Sequence, residues 1–152
     1  MAIHEYRHVQ QLQNARIGVI KTAYKVFGDY FWSSLAHLIL PPWFFEGDAV
    51  FTETVLSNGG RGRMPNFEGQ YRALLLTGTS LNYEKNSAGS YKKLIPNIYN
   101  MGYHLTASLN LDYGDKIMGN LLQETVKSSF FNFYPFSKSL KKQTGMRSPQ
   151  YY

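Results

Sequence analysis

The sequence contains no cysteine, which excludes a disulfide framework, a thiolate metal site and a cysteine nucleophile. It also lacks any apolar run near the roughly 20 residues that a membrane-spanning helix needs. The longest candidate, residues 35–45, is interrupted by His37 and by Pro41-Pro42. Its first residues, Met1-Ala2-Ile3-His4-Glu5, do not show the basic and then apolar pattern of an export signal. Charge is sparse too: 17% of the residues are charged, against 16% aromatic and 43% hydrophobic. That balance excludes a disordered chain, which is rich in charge and poor in aromatics. Acidic residues are the scarcer sign, 10 against 16 basic, for a net charge of +6. The excess raises nucleic acid as a partner, yet the only basic clusters are Lys92-Lys93, Lys138/Lys141/Lys142 and Arg61-Gly62-Arg63. A phosphate-tracking surface shows a denser stripe or a recognisable module, so no nucleic-acid partner is expected. The 152 residues suit one domain with a core of useful size.

What is present is mainly α. Apolar spacing predicts helices over 2–15 and 19–27, a break at Gly28, and a third helix over 30–40 capped by Asp29. That helix must stop before Pro41, and Pro42 suits the first turn of a fourth, 43–56. Residues 57–65 (SNGGRGRMP) read as a loop, Asn66 as the cap of a helix over 67–76, and 77–89 as polar and turn-rich. Pro96-Asn97 lead into a helix over 98–109, and Tyr113-Gly114 separate it from another over 116–126. The aromatic stretch 128–134 (SSFFNFY) fits either state; Pro135 opens a last helix over 135–143, closed by Thr144-Gly145. The domain is expected to span 1–145, with 146–152 as a loose tail.

His4-Glu5-Tyr6-Arg7-His8 is an HExxH sequence. On a helix, positions i and i+4 share a face, so both imidazoles can reach one cation while Glu5 holds a metal-bound water as general base. A zinc site of this kind needs a third protein ligand and an open position. With no cysteine, a carboxylate is the natural choice. Glu46, in Trp43-Phe44-Phe45-Glu46-Gly47-Asp48-Ala49, is expected in the first turn of an apolar helix between buried Phe45 and Ala49. There it either answers the helix dipole or ligates the metal, and beside HExxH the ligand reading is the better one.

HExxH followed by a W-x-x-E-G-x-A helix resembles the gluzincin metallopeptidases, in particular the peptidase MA-like proteins and, more distantly, aminopeptidase N. The resemblance implies that His4, His8 and Glu46 bind one Zn2+ and that Glu5 activates the water that attacks a peptide bond. Glu46 follows His8 by 38 positions (46 − 8), and an inserted helical hairpin over 19–40 accounts for that length. The family also carries a tyrosine, in Y-x-K-G before an apolar helix, that stabilises the oxyanion. Tyr99-Asn100-Met101-Gly102 has that frame with Met101 in place of lysine, which makes Tyr99 the corresponding phenol. Gluzincins have a β-sheet ahead of the HExxH helix, and only three residues precede His4. The chain is therefore expected to supply the helical C-terminal part of such a catalytic domain: either it is a fragment of a longer protein, which the resemblance implies is exported and joined to further domains, or its start is misassigned, or the catalytic subdomain is degenerate.

A carboxylate usually fixes the tautomer of a metal-binding imidazole. Glu53, two turns after Glu46, and Asp48 are the candidates, each with an equal claim to a purely structural place. Arg61 and Arg63 either bind a substrate carboxylate or pair with Glu53 or Glu68, and at least one is expected to order its loop. His37 and His104 lie on apolar helices and read as core or interface histidines. Against the peptidase stands a second class, a truncated or degenerate peptidase-like helical module acting in protein interaction.

Overall fold

The computed structural model describes residues 2–79, 82–89, 92, 95–129 and 132–152. Among these the chain is helical, without a strand. Its elements are α1 (Ala2–Asn14), α2 (Gly18–Ile39), α3 (Pro42–Leu56), a 3-10 turn (Arg61–Arg63), α4 (Pro65–Leu76), α5 (Tyr83–Ala88), α6 (Ile98–Tyr113), α7 (Ile117–Ser128), α8 (Pro135–Thr144) and α9 (Ser148–Tyr151). No helix among the described residues is long and apolar enough to cross a membrane.

Most boundaries follow from local chemistry. Gly28 breaks α2 at φ 75°, ψ −172°, a conformation that side-chain-bearing residues rarely adopt, so the two expected helices meet at a kink. Asp29, expected as the cap beyond it, places its Oδ1 2.6 Å from Arg16 Nη2. Asn97 caps α6 by accepting from the Tyr99 backbone N–H at 2.6 Å. Gly145, in the left-handed region, closes α8.

Four expectations are corrected. α4 starts at Pro65 with Met64 as the extended cap, because proline's fixed φ suits the first helical position better than Asn66 suits a cap. The segment expected to be polar and turn-rich contains a short helix, α5, started by Asn82, whose side chain accepts from Lys85 N at 3.0 Å. Helix α6 runs on to Tyr113 before Gly114 ends it. The tail expected to be loose forms α9, with Ser148 buried and Tyr151 and Tyr152 packed on the core. There the Tyr152 hydroxyl accepts from Asn86 Nδ2 at 2.8 Å. Phe130 and Phe131 of the aromatic stretch, Lys93 of the basic pair, and Ser80 and Leu81 of the turn-rich segment lie outside the described residues.

The core centres on the crossing of α3 and α6. Trp43, Phe44, Met101 and Leu109 are fully buried there, with Phe136 of α8 edge-on to Trp43 and Phe44 at 5.5 and 5.4 Å between ring centroids. The crossing is backbone on backbone. A Cβ on Gly102 would lie 2.4 Å from the Trp43 carbonyl oxygen and 2.8 Å from Gly47 Cα, and one on Gly47 would lie 2.2 Å from Gly102 C. Because backbone cannot give way as a flexible side chain does, Gly102→Ala must force the helices apart, at a cost of about 1–3 kcal/mol or more. Gly119→Ala, inside α7 with nothing within 4 Å, should instead be neutral or stabilising by up to about 1 kcal/mol. Urea unfolding of the two variants checks this, and equal stability would contradict the close crossing. The same crossing sets the site: Glu46 immediately precedes Gly47, and Tyr99 stands three residues before Gly102.

Candidate metal centre

Helix α1 packs on α3, and its i, i+4 spacing turns His4 and His8 toward Glu46. His4 is buried and His8 half-buried. Their Nε2 atoms are 3.1 Å apart, with the rings edge to face. Glu46 Oε2 sits 3.2 Å from His4 Nε2 and 3.6 Å from His8 Nε2. Phe45 and Ala49 flank it, buried as expected. Glu46 itself is the fifth residue of α3, one position further in than expected and just past the first turn, where the helix dipole acts less strongly.

Three observations test this trio against a metal. Glu46 Oε2 is buried and has no hydrogen-bond partner, which is costly for a carboxylate unless a cation meets it. Tetrahedral zinc with bonds of about 2.0–2.1 Å sets its ligand atoms about 3.3 Å apart, and the separations of 3.1, 3.2 and 3.6 Å bracket that edge. Two imidazoles and a carboxylate are, finally, a zinc donor set. Among the described residues His4, His8 and Glu46 are the group close enough to hold a metal. The facing His8 imidazole holds the Glu46 carboxyl below its ordinary range, and Glu46 in turn raises His8. Burial, followed by the Arg61 charge, lowers His4.

Behind His8 lies a relay that the sequence reading missed. Gln11 Nε2 donates to Asp48 Oδ2 at 2.6 Å and to the Phe45 carbonyl at 3.1 Å. Its Oε1 therefore faces His8 Nδ1 at 2.9 Å and must accept from it. That leaves the Nε2 lone pair of His8 pointing at Glu46. Asp48 is clamped in turn by Arg7, through Nε at 2.8 Å and Nη2 at 3.1 Å. Asp48 thus reaches the histidine only through Gln11. The available signal was a glutamine three residues after His8 on the same helix, buried where a glutamine needs partners.

Behind His4 stand Glu53 and Arg61. Glu53 Oε2 is 3.5 Å from His4 Nδ1, while Oε1 accepts from Arg61 Nε at 2.6 Å and from Arg61 backbone N at 3.2 Å. Burial pushes the Glu53 carboxyl up, but the Arg61 hydrogen bonds and charge outweigh it and hold it below its ordinary value. Arg61 Nη2 also contacts His4 Nδ1 at 2.6 Å. Its guanidinium lies over the Tyr99 ring, 5.0 Å from the centroid.

Tyr99, in the first turn of α6, brings its ring to 6.3 Å from that of His4. Burial and then the Glu46 charge raise its hydroxyl, which stays protonated. Glu5 is exposed on α1, and its charge acts on both His8 and Tyr99. Arg63 stands apart: its Nε donates to the carbonyls of Thr54 and Ser57 and closes the loop. His37 stacks on Phe45, and His104 pairs with Glu68. Comparison of the chain with protein-family models, with curated proteins and with solved structures finds no match.

Proposed function

We propose that this chain binds one zinc ion through His4, His8 and Glu46 and hydrolyses peptide bonds. The observation that carries the reading is the buried, unpartnered Glu46 Oε2 between two facing imidazole nitrogens. The resemblance of HExxH and W-x-x-E-G to the gluzincins supports it from the sequence. When bound, zinc supplies a Lewis acid that polarises a carbonyl and makes water a stronger acid.

The chain's own residues then have separate tasks. Glu5 takes the proton of the attacking water and delivers it to the leaving amine. Tyr99 donates a hydrogen bond to the carbonyl oxygen as charge develops there. Gln11, itself positioned by Asp48 and Arg7, holds His8 in the tautomer that offers Nε2.

Elemental mass spectrometry of the purified chain should find about one zinc per molecule. His8→Ala and Glu46→Ala should lose it while keeping the helical circular dichroism of the parent. A folded chain that takes up no zinc would sink the proposal. It would favour the interaction module instead, for which the exposed Val26, Phe27 and Tyr30 around the α2 kink speak.

A further inference from the structure

We propose that Arg61 and Glu53 compete for Nδ1 of His4, so that Arg61 holds the metal-free centre and cedes His4 to Glu53 when the metal enters. This rests on the zinc reading of the site and adds the residues that control its occupancy.

The argument is one of donors and acceptors. A guanidinium can only donate. Arg61 Nη2 lies 2.6 Å from His4 Nδ1, so Nδ1 must accept and the proton of the neutral ring sits on Nε2. In that tautomer Nε2 has no lone pair to offer a metal. Its N–H is directed at His8 Nε2 instead, 3.1 Å away. The two histidines are therefore prepared differently: Gln11 already sets His8 for ligation, and Arg61 sets His4 against it. Arg61 Nη2 is also 3.3 Å from His4 Nε2, so a fixed positive charge stands beside the place a dication must take.

For His4 to ligate through Nε2, Nδ1 has to carry the proton and face an acceptor. Glu53 Oε2 stands 3.5 Å from Nδ1 and accepts from Arg61 Nη2 at the same distance, while the other oxygen of the same carboxylate stays bound to Arg61 N and Nε. The exchange requires the guanidinium tip to move, not the loop. A Cβ on Gly60 would meet Thr54 Cα at 2.3 Å, and one on Gly62 would meet the Tyr103 ring at 2.6 Å, so the turn is pinned on both sides of Arg61. The tip has somewhere to go, since the side chain is about a third exposed and the Tyr99 face is alongside.

Arg61 and Glu53 are thus positioning residues with opposite effects. Zinc affinity, read by competition with a chromogenic chelator, should rise about tenfold or more in Arg61→Met, because the metal-free state loses a charged hydrogen bond. It should fall about 10–100-fold in Glu53→Met, which removes the acceptor of the metal-bound state. A pair that only braced the loop would move both affinities in the same direction. Nitrogen chemical shifts of His4 in histidine-labelled wild-type protein supply a readout that needs no variant to fold. They should show the proton on Nε2 without metal and on Nδ1 with zinc. Metal-free His4 carrying its proton on Nδ1, or zinc affinity unchanged or lowered in Arg61→Met, overturns the exchange while leaving the zinc site standing. Zinc binding by neither wild type nor Arg61→Met overturns the site and the exchange together.

Discussion

Glu5→Gln should bind zinc as the parent chain does and lose about 10²–10⁴-fold in peptide hydrolysis, the span typical of removing a positioned general base. The two halves of this expectation come from different features of the site. Metal retention follows because Glu5 is not among the three converging ligand atoms, and because it sits exposed on α1, where glutamine is an isosteric replacement. The rate loss follows from the general-base role proposed for Glu5. The Glu5 charge is felt at His8 and at Tyr99, and glutamine in its place cannot accept a proton. Hydrolysis of a mixed peptide substrate by zinc-loaded protein, with zinc content measured on the same samples, separates the two. Full activity in Glu5→Gln would remove Glu5 from the chemistry, and loss of zinc would make it a structural residue instead.

The trio was legible in the sequence because its parts are local. An i, i+4 histidine pair needs only a helix to converge, and Glu46 announces itself as a carboxylate among Trp43, Phe44 and Phe45. The Gly28 break and the closing Gly145 were legible for the same reason, since positive φ is a property of one residue. What surrounds the trio was not local. The Gln11–Asp48 bond joins positions far apart on two helices, and nothing in either helix taken alone selects that partner. Arg61 was expected to bind a substrate carboxylate or to pair with Glu53 or Glu68; it pairs with Glu53, but its contact with His4 depends on how the turn is pinned by Thr54 and Tyr103. The extension of α6 to Tyr113 and the ordering of α9 also depend on burial supplied by distant elements. Tyr152, for instance, owes its place to Asn86 of α5.

The α3–α6 crossing joins those two levels, and it leads to the expectation for Tyr99→Phe. Gly47 and Gly102 let the helices touch backbone to backbone, which carries the first turn of α6 to the Glu46 end of α3 and holds the Tyr99 ring 6.3 Å from that of His4. Removing the hydroxyl deletes one donor and no packing volume, so the fold, the zinc content and the position of Arg61 over the ring should all persist. Loss of a single oxyanion donor costs about 10²–10³ in rate. Because that hydrogen bond strengthens only as charge develops on the carbonyl oxygen, kcat and kcat/KM should fall together with KM unchanged. Steady-state kinetics on zinc-loaded protein decides the matter. A defect confined to KM would make Tyr99 a wall of the substrate site, and an unchanged rate would mean that the Y-x-x-G frame of residues 99–102 serves the helix crossing alone.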